Sequence, residues 1–221
     1  MPTDPATSET TVRRHPERGR YDRATIEAIL DEALVCHVAF VVDGRPVVIP
    51  TLGVRVDSTY YFHGSSMSRM LTTLAEGPEI SVAVTLIDGL VLARSAFNHS
   101  VNYRSVVFFG RAVEVTDEGE KWRALEALVD HVVAGRWKDV RLPTPREMKA
   151  TTVIGVPLDR ASAKIRRGPP KDLESDQAFP VWAGVVPLAL TSGAPDPAPD
   201  LLSGIPLPDS LIGYRRPQSR R

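Results

Sequence analysis

The chain has 221 residues, 43% hydrophobic and 24% charged, which suits one globular domain with a core of its own. Lys plus Arg and Asp plus Glu both number 27, so no surplus of positive charge draws it to nucleic acid or an acidic membrane surface. One cysteine, Cys36, sits in the apolar run LVCHVAFVV; with no intrachain disulfide possible and no apolar leader or membrane span, a cytoplasmic protein is expected.

Residues 1–20, rich in Thr, Arg, Glu and Pro, read as a disordered arm, 21–190 as the folded domain, and the Pro-rich 191–221 as a flexible tail. From Asp22, a good N-cap, Ile26, Ile29, Leu30, Ala33 and Leu34 recur at the spacing of one helical face. CHVAFVV then passes through Asp43-Gly44 into RPVVIPTLGVRV, and such a pair between β-rich runs signals a hairpin. A second hairpin turns at Asp57-Ser58 into TYYFH. Met67, Met70, Leu71 and Leu74 predict one face of a short helix that Gly77-Pro78 stops.

EISVAVTLI and LVLARSAF read as two further strands, and RSVVFFGRAVEVT as a long one in which Gly110 suggests a bulge. Asp117 to Glu120 has the form of a capping box, opening a helix with Trp122, Leu125, Leu128, Val129, Val132 and Val133 inward and Gly135 at its end. A polar connection leads to TTVIGVPLDRASAKIRRG, a late strand broken at Pro157, and VWAGVVPLAL is the last. Hairpins without regular strand–helix alternation predict an antiparallel barrel with helices packed outside.

Three large enzyme classes lack their signatures here: no Gly-x-Gly-x-x-Gly follows a strand, and there is no Walker loop and no Gly-x-Ser-x-Gly elbow. Histidines 15, 37, 63, 99 and 131 are scattered, so no metal site is expected. Ser65, Ser66, Ser68 and Arg69 gather hydroxyls, free N–H groups and a guanidinium at a helix start, which favours a phosphate. The same residues also make an ordinary serine N-cap with a solvated Arg, and alone they leave both readings open. His63 ends a strand just before this loop, where an imidazole either handles a proton or is satisfied by backbone bonds. Arg104 and Ser105 open another strand after a polar loop, within reach of a ligand, although Arg104 also reads as a surface charge. Trp182 either covers a flat ring or fills the core.

VVIPTLGVRV, YYFHGSSMSRML, NYRSVVFFGRAVEV, IRRGPPKD and PVWAGVVPL, in that order, resemble the pyridoxamine 5'-phosphate oxidase-like FMN-binding split-barrel proteins, notably their nitroimidazole-reductase-like branch. The resemblance implies a six-stranded antiparallel split barrel that dimerises with FMN in grooves at the interface. It places Ile49, Pro50, Thr51 and Leu52 beside the flavin ring and ribityl chain, Ser66, Ser68 and Arg69 on the phosphate, and Ser105 and Arg104 facing the cofactor. Trp182 approaches the ring, across the interface, and His63 becomes the proton-handling catalytic residue. Met70 stands where the oxidases themselves place a second cation, and no late Arg-x-His element is present, so vitamin B6 oxidation is not expected. The implied activity is an FMN-dependent oxidoreductase passing electrons to a small nitroaromatic or quinone-like acceptor. The alternatives are a flavin-binding redox sensor or carrier without turnover, and the same fold holding a deazaflavin or haem.

Overall fold

The computed structural model describes residues 7–215. The arm is tied down before the domain begins: Thr10 is buried, the Val12 N–H donates to the Tyr21 hydroxyl at 2.8 Å, and Gly19–Arg20 form a short strand, β1. Helix α1, Arg23–Glu32, starts where expected, because the Asp22 carboxylate accepts from the Thr25 N–H at 2.9 Å, and it buries Ile26, Ile29 and Leu30.

Strands β2, Val35–Val42, and β3, Arg45–Val56, turn at Asp43 and Gly44, whose φ angles of 50° and 73° are the left-handed pair that a two-residue hairpin needs. β4, Thr59–Ser65, follows through a second tight turn. Helix α2, Arg69–Ala75, buries Met70, Leu71 and Leu74, but Met67 precedes it and is 90% exposed. The expected methionine face is therefore shorter by one residue, since the Ser68 N–H bonds back to the Ser65 carbonyl in a turn.

β5, Glu79–Leu92, is one long strand where two were expected; Asp88-Gly89 only shifts its register, between Ile87 and Gly89. It pairs along its length with β6, Ser100–Arg111. Gly110 carries no bulge. Its role is close approach: an added Cβ would meet Val156 Cγ1 at 2.7 Å. β7, Val113–Glu114, leads to helix α3, Glu118–Val132, capped by the Asp117 carboxylate. The reciprocal half of the expected capping box is absent, and the Glu120 carboxylate instead accepts from the Tyr61 hydroxyl at 2.8 Å. The connection read as merely polar contains helix α4, Pro145–Ala150. β8, Thr151–Pro157, and β9, Arg160–Arg166, are the two halves of the broken late strand, and β10 is Gly184–Pro187.

All pairings are antiparallel, in the order β1-β9-β6-β5-β2-β3-β4-β8-β7, with β10 beside the end of β5. The sheet does not close, and this is the split barrel. It has ten strands among the described residues, more than the six expected: β1, β7 and β10 are pieces of two, two and four residues, and the other seven are longer. One core fills the barrel around Val38, Phe62, Val82, Phe108 and Ile154. A second lies outside it, where Val54, Tyr61 and Val153 meet Leu125 and Leu128 of α3 and the buried Trp137. Near its described end the tail touches the domain: the Tyr214 hydroxyl donates to the Val132 carbonyl at 3.0 Å, and Ser210 Oγ to Asp139 at 2.9 Å. Residues 1–6 and 216–221 lie outside the described residues.

Candidate functional site

Strand β3 has one partner up to Leu52 and another after it. Val35 to Val42 of β2 pair with residues 52 back to 45, whereas β4 pairs with β3 only over Gly53–Val56. Continuing the β3–β4 register would set Leu52 against His63 and Pro50 against Ser65; instead β4 goes on with β8 alone. The edge of β3 at Ile49–Leu52 is left without a strand on that side, and its backbone donors and acceptors are available to a ligand. Gly53 marks the parting, since a Cβ there would overlap the Tyr60 ring at 2.3 Å.

The four residues do not share a face. Ile49 and Thr51 lie opposite the buried Val38 and Cys36, while Pro50 and Leu52 lie on the other side of the pleat. At the other lip of the split, Ser66 and Arg69 are exposed and Ser68 is half-buried. No side chain among the described residues pairs with the hydroxyls of Ser66 or Ser68 or with the Arg69 guanidinium. Ser68 occupies the N-cap position without capping, so its hydroxyl is not used by the helix.

His63 points away from the barrel interior. Tyr60 and Phe62 enter the barrel core, so by alternation Tyr61 and His63 face α3. There His63 lines a cavity of about 490 Å³ with Leu52, Leu125, Leu128, Val132 and Met148, and with Arg136 and Arg141 among its polar lining. Its Nδ1 is buried without a hydrogen-bond partner, and burial pushes its pKa below the ordinary histidine value. The imidazole is therefore neutral at physiological pH, a better lone-pair ligand than proton donor. Arg141 is held by Glu147 at 2.7 and 2.9 Å, whereas Arg136 has, among the described residues, only Asp139, at 3.8 Å. Sequence reading missed this cavity because it took residues 136–150 as a plain connection. Thr144-Pro145-Arg146-Glu147 was the available signal: Thr144 and Glu147 form a full capping box with Pro at the helix start.

Arg104 and Ser105 cannot face one groove from a single chain, because neighbouring residues of a strand point to opposite sides. Arg104 is buried and its guanidinium is occupied by Glu32, at 2.5 and 2.8 Å, and Asp88, at 2.7 and 2.9 Å. Hydrogen bonds from Glu32 and Asp88 hold its pKa above the usual arginine range. It ties α1 to β5, and its guanidinium is taken up by these two carboxylates. Ser105 lies on the outer face, its hydroxyl donating to the Lys164 carbonyl at 3.3 Å. Trp182 is 64% exposed, beside Gly184, whose added Cβ would meet the ring at 2.9 Å. It does not fill the core. Cys36 is buried and its thiol is pushed up to about 11 by desolvation, so it is no nucleophile. Among the described residues no His, Cys, Asp and Glu cluster forms a metal set, and no helix is long and apolar enough to cross a membrane.

The family model described as pyridoxamine 5'-phosphate oxidase matches residues 22–165, from the cap of α1 to the end of β9. The chain belongs to the pyridoxamine 5'-phosphate oxidase family. Within the solved structures, the flavocytochrome Anf3 from Azotobacter vinelandii is 39% identical, over 96% of this chain and 99% of that one, with a TM-score of 0.89. An FAD and haem binding protein from Mycobacterium smegmatis is 38% identical, over 90% of this chain and 98% of that one, with a TM-score of 0.86. A structure described as a 5-nitroimidazole antibiotic resistance protein from Bacteroides thetaiotaomicron is 23% identical over 66% of this chain and 86% of that one, TM-score 0.56, and shares the fold. No curated protein matches the sequence.

Proposed function

We propose that this member of the pyridoxamine 5'-phosphate oxidase family is a redox protein that binds a flavin at the β3–β4 split and a haem in the cavity beneath α3. The observation that carries the reading is His63: a neutral imidazole with an orphaned buried nitrogen, facing an apolar cavity of about 490 Å³. The ring lines the cavity, and the nitrogen it can present there is Nε2, since Nδ1 is closed off; a neutral imidazole so placed can supply a lone pair to a ligand. Leu125, Leu128, Val132 and Met148 suit the flat apolar faces of a macrocycle, and Arg136, loosely paired, suits its propionates. Two relatives more than a third identical, one a flavocytochrome and one an FAD and haem binding protein, support the same assignment.

The flavin half uses different residues. Backbone groups of Ile49, Pro50, Thr51 and Leu52 would bond the ring edge, and Ser66, Ser68 and Arg69 would hold the phosphate of its mononucleotide part. The phosphate reading rests on the side chains, since α2 has only seven residues and its hydroxyls and guanidinium are uncommitted. Bound flavin exchanges electrons singly or in pairs and haem exchanges them singly, so together they would join a two-electron donor to a one-electron path. The chain's own contribution is position: α3 and α4 half-bury His63, and the parted strands present a backbone edge.

The outer sheet face completes the reading. Val41, Val48 and Ile87 are exposed there beside Ala39, Ala83 and Val107, an apolar surface that a second copy would cover. A homodimer would bring Ser105 and Trp182 of the partner subunit toward the flavin, the role that a single chain does not give them. A nitroaromatic or quinone-like acceptor rests on likeness of fold to the resistance protein and stands behind haem as the electron acceptor.

The two half-sites separate by substitution. His63→Ala is expected to abolish binding of added haem while flavin absorption persists. Arg69→Ala is expected to weaken flavin retention and leave haem binding intact. Haem binding unchanged in His63→Ala would overturn the reading.

A further inference from the structure

β9, β6 and α1 line another, open cavity, of about 470 Å³, on strands far in the sheet order from the β3–β4 split. Arg104 reaches it with its charge already met by Glu32 and Asp88. Arg18, Arg20, Arg166, Arg167 and Lys171 also line it, against a single carboxylate, Glu17. Arg20 spends its guanidinium on the carbonyls of Glu17 and Gly19, at 2.9 and 2.6 Å, and Arg18 stands 3.7 Å from the Glu17 carboxylate.

Arg166 is the unusual member. It is 6% exposed, yet every partner it has among the described residues is neutral: Asn102 Oδ1 at 2.5 Å and the carbonyls of Gly168 and Pro169, both at 3.4 Å. Burying a guanidinium without a counter-charge is unfavourable unless an anion arrives to meet it. Desolvation, then the like charge of Arg18, lowers its pKa. Arg167 and Lys171 flank it with no carboxylate of their own among the described residues. Ala28, Ile29 and Ile165 add an apolar wall beside the charges.

We propose that this cavity binds a nucleoside diphosphate group, the phosphates on Arg166, Arg167 and Lys171 and the base against Ala28 and Ile165. Forked guanidiniums match phosphoryl oxygens, and four unmatched cations exceed what one phosphate neutralises. The chain's balanced overall charge argues against a nucleic acid strand. The same chemistry comes from two sources, the adenosine diphosphate end of a bound FAD or a nicotinamide dinucleotide that delivers electrons. The site needs no haem; where the diphosphate belongs to FAD it rests on the flavin reading above, and where it belongs to a nicotinamide dinucleotide it stands apart from it.

The test uses the purified full chain and the exposed double variant Arg167→Glu with Lys171→Glu. The flavin released on denaturation is identified first. If it is FAD, the variant is expected to retain it at least about tenfold more weakly than wild type, with FMN affinity unchanged. If the protein carries no FAD, titration with ADP is expected to show binding that the variant weakens by at least about tenfold, and a raised KM for NADH or NADPH identifies the donor as the source. Absence of ADP binding in FAD-free protein, or FAD or ADP affinity equal in wild type and variant, overturns the proposal.

Discussion

His63 makes its environment measurable. Burial lowers its pKa in the folded state, while the unfolded chain titrates near 6.5. Below that pH the unfolded state binds more protons than the folded one, so stability falls as the pH drops from 6.5 toward the lowered value. In haem-free protein, urea unfolding across this window is expected to show that loss, and His63→Leu is expected to flatten it. Arg104 gives a larger effect. Arg104→Met would leave Glu32 and Asp88 facing each other without their cation and should cost about 3–5 kcal/mol. An unfolding midpoint within error of wild type would show that the pair of carboxylates is met by something other than Arg104.

The elements were legible where a local rule governs them. Asp22 and Asp117 cap the helices predicted after them, and Asp43-Gly44 turns the first hairpin at the angles its residue types favour. What failed depended on partners distant in sequence. Gly110 looks like a bulge until β8 is seen to pass over it, and Asp88-Gly89 looks like a turn until β6 is seen to pair across both its halves. Arg104 and Ser105 illustrate the same limit at the site, since the carboxylates that occupy Arg104 come from α1 and β5. The His63–Ser66–Arg69 loop was readable because strand, turn and helix are contiguous; the cavity under α3 was not, because its far wall is α4. That wall hangs on one cap. Thr144→Ala should cost about 1 kcal/mol and loosen the Glu147–Arg141 pair at the cavity rim. Haem affinity and the denaturation midpoint, measured on the same variant, should fall together.

For the whole molecule the open barrel has a consequence. A sheet with its inner face filled by one core and part of its outer face covered by α3 still leaves Val41, Val48 and Ile87 in water. Val48→Glu lies on that face, away from both cores, and should convert a dimer to a monomer in light scattering while leaving the fold intact. A wild-type protein already monomeric at micromolar concentration would mean that this surface has another occupant or none. The most direct measurement is the absorption spectrum of the purified wild-type protein, supplied with flavin and haem and passed through a sizing column. Flavin bands and a Soret band travelling together with the protein are the expected result. A spectrum that keeps the flavin bands and never acquires a Soret band would contradict it.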